Sequence, residues 1–490
     1  MDFDKFIPIG GLITHMLFIS SLGLYLITNL QWYHYKIGRV LTKHHKSSWH
    51  FFYFALPILV YQIANSFFWI FFYFGYIPTL ILWYRRLDKK LVWTWRVKRF
   101  FFLLISLTAF QDVTCLLQKE CSNYGIFMPI LLTLIGSLTI EKMVFFSYYR
   151  KAKRKLQLLN RTRVIAITGS YGKTSIKNFL TQVLSRKYKV YSTPKSVNTL
   201  EGIVQDINNN LQAGIDFYIV EAGAREKGDI DKIAKLVQEE IAIVGKVGKQ
   251  HIEYFKTIEN IISTKLEITN SQKLRHLYIH SSISRDILPK NPPFEIHQFG
   301  EGVTNVIADL DGTQFRLEID GQSERFATQV LGKFQSENLE VVIRLALQLG
   351  LSLDEVKYAI YNLEPVPHRL EKIKAGGKII IDDGYNGNID GMLEAFRLVE
   401  QHEGRKVVIT PGLIESSEDL NERIAFEIDD IFDVVIITGS INRDFFKRKL
   451  TNTKAIRIFL DDKSKLEDVL SKYTSYGDII LFANDAPSYI

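Results

Sequence analysis

Apolar residues fill long, nearly unbroken stretches in the first third of the chain and then give way to short periodic bursts. Residues 8–30 (PIGGLITHMLFISSLGLYLITNL) supply the roughly 20 apolar positions that a helix needs to cross a bilayer core. No small-residue cleavage site follows, so the segment reads as a retained anchor rather than a signal peptide. Residues 51–84 are apolar throughout but broken by Pro57, Asn65, Gly75 and Pro78, and residues 100–117 and 125–148 predict two further spans, the last carrying Glu141 and Lys142. Beyond residue 160 the pattern is that of an α/β protein. Residues 163–167 are a β-branched apolar run and predict a buried strand, and 174–185 have helical spacing.

Charge changes the picture of the first third. The chain of 490 residues has a formal net charge of +8, but the excess sits in clusters beside apolar segments, which marks membrane flanks and not a nucleic-acid surface. Lys36, Arg39, Lys43 and Lys46 lie in one flank. Arg85, Arg86, Lys89, Lys90, Arg96, Lys98 and Arg99 lie in the second, and Arg150, Lys151, Lys153, Arg154 and Lys155 in the third. The connection 118–124 has only Lys119 and Glu120. The excess of Lys and Arg assigns the three basic flanks to the cytoplasm and 118–124 to the outside. Two cytoplasmic flanks around 51–84 require an even number of crossings there. The expectation is five crossings, or three plus a re-entrant pair, with residue 150 onward in the cytoplasm. Asp112, inside the third apolar segment, is a candidate for either a substrate site or helix packing. The two cysteines, Cys115 and Cys121, exclude a disulfide framework or a cysteine zinc cluster and are expected as free thiols.

The chemistry begins at RTRVIAITGSYGKTSIKNFL. Gly169, Ser170, Tyr171, Gly172, Lys173, Thr174 and Ser175 form a glycine loop between the predicted strand and helix. In that context backbone N–H groups and the helix N-terminus face phosphates. Lys173 is positioned for the β/γ oxygens and the Thr174 hydroxyl for Mg²⁺. Glu221 follows the apolar run FYIV, which puts a carboxylate at a strand end beside the loop. The strict P-loop spacing is not met, since Ile167 stands where its first glycine belongs.

TGSYGKTS resembles the TGSxGKT loop of the Mur ligases, and four further segments follow in that family's order. They are VEAGAREKGDI (220–230), KVGKQHIEYFKTIENIISTKLEI (246–268), VPHRLE (366–371) and IDDGYNGNIDGM (381–392). The resemblance implies a P-loop central domain with a mostly parallel sheet and a Rossmann-like C-terminal α/β domain after the α-helical membrane region. The boundaries implied are 1–155, 156–365 and 366–490. It implies ATP and two Mg²⁺ ions, held by Thr174, Glu221, His251 and Lys265, the last as a carbamylated lysine. Arg369 is implied at the transferring phosphate; Asp383, Tyr385 and Asn386 at the nucleotide; Asn338 near the adenine; and Asn198 at the acceptor substrate.

The reaction implied is an ADP-forming amide ligation in peptidoglycan precursor synthesis. A muramyl-peptide carboxylate is activated as an acyl phosphate, and a dipeptide amine, D-alanyl-D-alanine, is added. The location implied is the bacterial inner membrane, multi-pass, with cytoplasmic catalytic domains and possible cell-wall synthesis partners in the bilayer. Three departures stand out: Gly245-Lys246-Val247-Gly248 before the histidine, Phe334-Gln335 before Asn338, and the ending ILFANDAPSYI. Membrane helices also stand where the family has a soluble UDP-binding domain. Two alternatives therefore stay open: a ligase for a lipid-linked or polymerised acceptor, and a non-ligating membrane scaffold or gate with an ATP-binding domain.

Overall fold

The computed structural model describes residues 3–33, 35–42, 44, 46–63, 67–87, 89–118, 127–248, 255–385, 388–413 and 418–484. The chain forms two compact units, Met1–Ser147 and Tyr148–Ile490.

In the first unit, three helices are long and apolar enough to cross a membrane: Gly10–Trp32, Trp95–Leu117 and Met128–Leu158. The last two are longer than the spans 100–117 and 125–148 read from hydropathy. Hydropathy stops at the first charges, whereas backbone hydrogen bonding continues through Trp95–Arg99 at one end and Arg150–Leu158 at the other. The apolar stretch 51–84 is not one helix. Helical pieces run over Ser48–Ile63 and Phe68–Arg85, each with a π-helical stretch (Phe51–Ala55 and Phe71–Tyr76). Asn65, between the two pieces, lies outside the described residues.

The unit's core is aromatic. Phe18 packs edge-on against Phe68 at 4.8 Å and Phe72 at 5.8 Å, and Tyr25 lies 5.1 Å from Trp83. Outward-facing Phe102, Phe110 and Leu117 are 75%, 70% and 79% exposed, a surface that water does not favour and a lipid phase does. Two charge pairs join these helices. Glu141 accepts from Arg99 Nη2 at 2.6 Å, and Asp112 Oδ1 lies 2.6 Å from His15 Nδ1. Asp112 is thus a helix-pairing residue. Cys115 is disulfide-bonded, which overturns the free-thiol expectation; Cys121 lies outside the described residues.

The second unit is built on two six-stranded sheets. The first contains β1 (Arg163–Thr168), β2 (Val190–Ser192), β3 (Phe217–Glu221), β4 (Ile241–Val244), β5 (His276–His280) and β6 (Glu295–Phe299), all parallel in the order β2-β3-β1-β4-β5-β6. Near-continuous Ile and Val in β1, β3 and β4 suit strands covered on both faces. Their residues pack with Ile176, Phe179, Leu180 and Val183 of helix Lys173–Leu184 and with helix Gln335–Gln348.

A three-stranded antiparallel sheet follows: β7 (Val303–Asp309), β8 (Gly312–Ile319) and β9 (Gln322–Thr328). It was not anticipated, although Asp311-Gly312 and Asp320-Gly321 at its turns are the dipeptides that favour tight hairpins. The second large sheet contains β10 (Glu371–Ala375), β11 (Lys378–Asp383), β12 (Lys406–Thr410), β13 (Val434–Thr438), β14 (Ile456–Leu460) and β15 (Ile479–Ala483). Its order is β10-β11-β15-β12-β13-β14, and only β10 is antiparallel to its neighbour.

One carboxyl in this unit runs against the rule that buried polar groups are paired. Glu239, just before β4, is fully buried, and neither carboxyl oxygen has a hydrogen-bond partner among the described residues. Burial pushes it up to about 8 from an ordinary 4.5. Between those two values the folded chain keeps a proton that the unfolded chain releases, so stability falls as pH rises through that window. Glu239→Gln is expected to flatten this dependence and to be the more stable form at pH 8. Thermal midpoints across pH 5–9 test it; parallel curves for the two proteins would exclude the protonated Glu239.

Candidate active site

Parallel order dictates where the chemistry collects. With β3 and β4 on either side of β1, the loops after all three strands open on one edge, the usual ligand edge of such sheets. Glu221 pairs in register with Ile167, one residue before the end of β1, which places its carboxylate beside the loop Gly169–Gly172. Gly169 (φ +145°) abuts the backbone of Gly245, where a Cβ would come within 3.1 Å. Gly172 (φ +78°) abuts the Asn338 side chain so closely that a Cβ would collide with its Oδ1. Both positions need glycine for conformation and for space. The Gly245–Gly248 segment, where the sequence departs from the family pattern, backs this loop. Lys246 O accepts from the N–H groups of Ser170 and Tyr171, both at 3.0 Å, and Gly248 O accepts from Ser170 Oγ at 3.2 Å.

Helix Lys173–Leu184 begins with Gly172 as N-cap and has no side-chain cap. Its first N–H groups therefore lack the acceptor that a Ser or Asp cap provides, and an anion suits them. Lys173 Nζ donates to Gly169 O at 2.8 Å and Ser170 O at 3.0 Å, folded back over the loop. Loss of water pushes this ammonium down to about 8, with Glu221 opposing and Arg369 adding to the shift.

Glu221 is the hub. Its Oε2 accepts from Thr174 Oγ1 at 3.0 Å and lies 3.2 Å from Lys177 Nζ; its Oε1 accepts from Asn198 Nδ2 at 3.1 Å. The Glu221 and Lys177 side chains are each 1% exposed. Lys177 was not foreseen. On a helical reading it is one more lysine, but a position four residues after Lys173 on the buried face of an amphipathic helix was the available signal. Asn198, expected at an acceptor substrate, donates its amide to Glu221.

Lys265 sits in helix Ile258–Leu266 and is 4% exposed. Among the described residues its amine donates no hydrogen bond. Desolvation, with the nearby Lys173 charge, pushes it down to about 7; Asp229 and Glu267 oppose. It is a buried amine that is largely neutral near neutral pH, far from the solvent-facing helical lysine its sequence context suggests. His251 and Asn386 lie outside the described residues.

The second sheet delivers Arg369. His368 and Leu370 on either side have positive φ (61° and 52°), a strained turn fixed by carboxylates of β11. His368 Nδ1 meets Asp382 Oδ2 at 2.7 Å, and Leu370 N donates to Asp383 Oδ1 at 3.1 Å. Burial lowers the Arg369 pKa, while Asp383, Glu221 and Tyr385 support its charge. Arg369 thus lies within electrostatic reach of both Glu221 and Lys173. Asp383 acts here as a backbone anchor. Tyr385 is 58% exposed, its ring edge-on to His368 at 4.8 Å. Asn338 rests on Gly172, with its amide donating to Gln335 Oε1 at 2.8 Å.

A glycine loop at a strand–helix junction, a strand-end glutamate beside it and an arginine delivered from a second α/β sheet agree with the family resemblance of the sequence. Residues 167–346 match the Mur ligase middle domain. Among curated proteins it is similar to the UDP-N-acetylmuramoyl-tripeptide–D-alanyl-D-alanine ligase of Bacillus subtilis (strain 168), 28% identical over 346 residues, or 68% of this chain and 74% of the relative. The ligase of the same name from Escherichia coli (strain K12) is 26% identical over 264 residues, and there the chain spans only 58% of the relative's length. Among solved structures, a crystal structure of MurF from Acinetobacter baumannii aligns with a TM-score of 0.63 at 22% identity, covering 70% of this chain and 78% of that one. MurF from Thermotoga maritima in complex with ADP aligns with a TM-score of 0.59 at 24% identity, covering 70% and 80%.

Breaking one side of a buried ion pair costs on the order of 3–5 kcal/mol, whereas replacing both partners can be nearly neutral. Lys177→Met alone is therefore expected to destabilise the protein by about that amount, and Lys177→Met with Glu221→Gln by clearly less. Denaturant unfolding of the single and double variants measures this; strictly additive losses would mean the pair is not coupled.

Proposed function

We propose that this protein is an ATP-dependent, ADP-forming amide ligase of peptidoglycan precursor synthesis, which activates the carboxylate of a muramyl tripeptide and joins it to D-alanyl-D-alanine. The observation that carries the reading is the convergence of Lys173, Thr174, Glu221 and Arg369 on one loop; the names of the similar curated ligases supply the substrates. In the first step a carboxylate oxygen of the acceptor attacks the γ-phosphorus of ATP, and ADP leaves. In the second the amine nitrogen attacks the acyl carbon, phosphate departs and the amine gives up a proton. Lys173 and Arg369 balance the charge that spreads over the transferring phosphoryl oxygens, and the uncapped helix N-terminus holds the phosphates in place. Tyr385 and Asn386 line the nucleotide from the C-terminal side and Asn338 from the loop side. Asn198 orients Glu221 at the edge of the acceptor site.

The residues fit Mg²⁺. An octahedral ion with oxygens at about 2.0–2.1 Å has neighbouring ligands about 3.0 Å apart, and Thr174 Oγ1 and Glu221 Oε2 are 3.0 Å apart. Mg²⁺ supplies positive charge against the phosphate oxygens. Lys265 and His251 form a second such position, with Lys265 as its carbamate. Carbamylation needs a neutral amine, and the lowered pKa of Lys265 supplies one. We read the part of the chain after residue 365 as the Rossmann-like domain that closes on the nucleotide, residues 156–365 as the ATP-binding domain, and residues 1–155 as a multi-pass anchor in the bacterial inner membrane that leaves the catalytic part in the cytoplasm. The three apolar helices also favour a second reading, in which the acceptor is lipid-linked.

The direct test is ligation by the purified full-length protein, given ATP and D-alanyl-D-alanine with either a UDP-linked or a lipid-linked muramyl tripeptide. Amide product with stoichiometric ADP is expected with the UDP-linked acceptor and is expected to disappear in Lys173→Ala. Product only with the lipid-linked acceptor would move the assignment to the second reading. ADP without any amide would defeat both in favour of a scaffold or gate.

Lys265→Ala is expected to lose most ligation, at least 100-fold, and to regain part of it with added formate or acetate, which restores an anionic oxygen ligand. Near-normal turnover in this variant at low CO₂ and low Mg²⁺ would eliminate the carbamate.

A further inference from the structure

Away from the phosphate loop, at the start of β5 and along β6, two histidines and a glutamate point at one another. His276 pairs in register with Glu295, and Tyr278 with His297, so period-two alternation puts His276, Glu295 and His297 on one face of the sheet. Three atoms form a triangle. His276 Nδ1 lies 3.2 Å from Glu295 Oε2 and 3.4 Å from His297 Nε2, and His297 Nε2 lies 3.6 Å from Glu295 Oε2. We propose that His276, Glu295 and His297 form a binding site for a late first-row divalent cation, Zn²⁺ in the first place, separate from the ligase centre.

The triangle has the size such an ion requires. Tetrahedral zinc with ligands at about 2.0–2.1 Å spaces its donor atoms about 3.3–3.4 Å apart, and the three separations bracket that value. The atoms are also of the right kind. The Gln348 amide nitrogen, which can only donate, lies 3.0 Å from His276 Nδ1, so that nitrogen accepts its N–H, and an incoming ion takes over that lone pair. The Gln348 amide is in turn oriented by the Tyr278 hydroxyl, which donates to its Oε1. Two imidazole nitrogens and a carboxylate oxygen this close repel unless a proton or a cation sits among them. Two imidazoles and one carboxylate select zinc, copper, nickel or cobalt over Mg²⁺ and Ca²⁺, which take oxygen donors.

The rings are held before any ion arrives: His297 stacks on Tyr278 at 4.7 Å. Glu295 is 71% exposed at its side chain, which leaves a path from solvent and an open coordination position for water. His276 begins β5, at the end of the sheet away from Gly169–Thr174, and β6 is the edge strand. A cation here ties that edge strand to its neighbour and lies remote from the transferring phosphate.

Full-length, tag-free protein, stripped with chelator and then dialysed against Zn²⁺ with excess Mg²⁺, tests this by metal analysis. The wild type is expected to retain one equivalent more zinc than His276→Ala/His297→Ala, and zinc is expected to raise the thermal midpoint only in the wild type. Co²⁺ is expected to give the intense visible bands of a four-coordinate site, absent in the double variant. Glu295→Gln, a change at an exposed side chain, is expected to weaken zinc binding at least tenfold while leaving ATP turnover at its wild-type rate. Equal zinc retention by wild type and double variant would overturn the site. If the double variant does not fold, unchanged zinc affinity in Glu295→Gln would do the same.

Discussion

The catalytic edge depends on a single buried carboxylate. Glu221 ends β3, the strand hydrogen-bonded to β1, and its oxygens bind the hydroxyl that follows the phosphate lysine, a second lysine one helical turn further on, and an asparagine from the loop after β2. Two partners come from the helix after the loop and the third from the loop after β2. A carboxylate 1% exposed tolerates its charge only with such partners, so the carboxylate and the loop specify one another's positions. Thr174, Lys177 and Asn198 are thereby tied to one carboxylate, while the helix that follows the loop starts without a side-chain cap.

Around that hub the positive groups are crowded. Lys173, Lys177 and Arg369 lie about one glutamate, and burial lowers the pKa values of Lys173, Lys265 and Arg369, with the Lys173 charge adding to the shift at Lys265. A lysine left at its ordinary pKa is an ammonium and inert to CO₂, and only a desolvated one beside another cation offers a lone pair near neutral pH.

The first unit follows a different solvent rule. Its interior is aromatic and two charge pairs join its helices, His15 with Asp112 and Arg99 with Glu141. Its outward faces are large apolar side chains. Paired charge inside and apolar surface outside is the arrangement a bilayer demands, since the lipid offers no hydrogen bonds to an unpaired group.

Much of this was legible in the residues themselves. The phosphate loop, the strand-end Glu221, the apolar helices and the parallel α/β order follow from local pattern: glycine spacing, β-branched runs and hydropathy each act within a few neighbouring residues. Length limits did not follow, because helices Trp95–Gln118 and Met128–Leu158 continue past the charges where hydropathy stops. The β7–β9 sheet was written in its Asp-Gly turns and went unread. What only tertiary structure decided was environment. Lys177 and Lys265 are two ordinary helical lysines by sequence, yet one is locked in a buried ion pair and the other is buried with no hydrogen bond among the described residues. Asp112 meets His15, and Asp383 holds the backbone of Leu370. His276, Glu295 and His297 have no shared motif and meet only because β5 and β6 pair in a given register. Burial and long-range proximity are sums over distant segments, and a one-dimensional pattern carries no term for them.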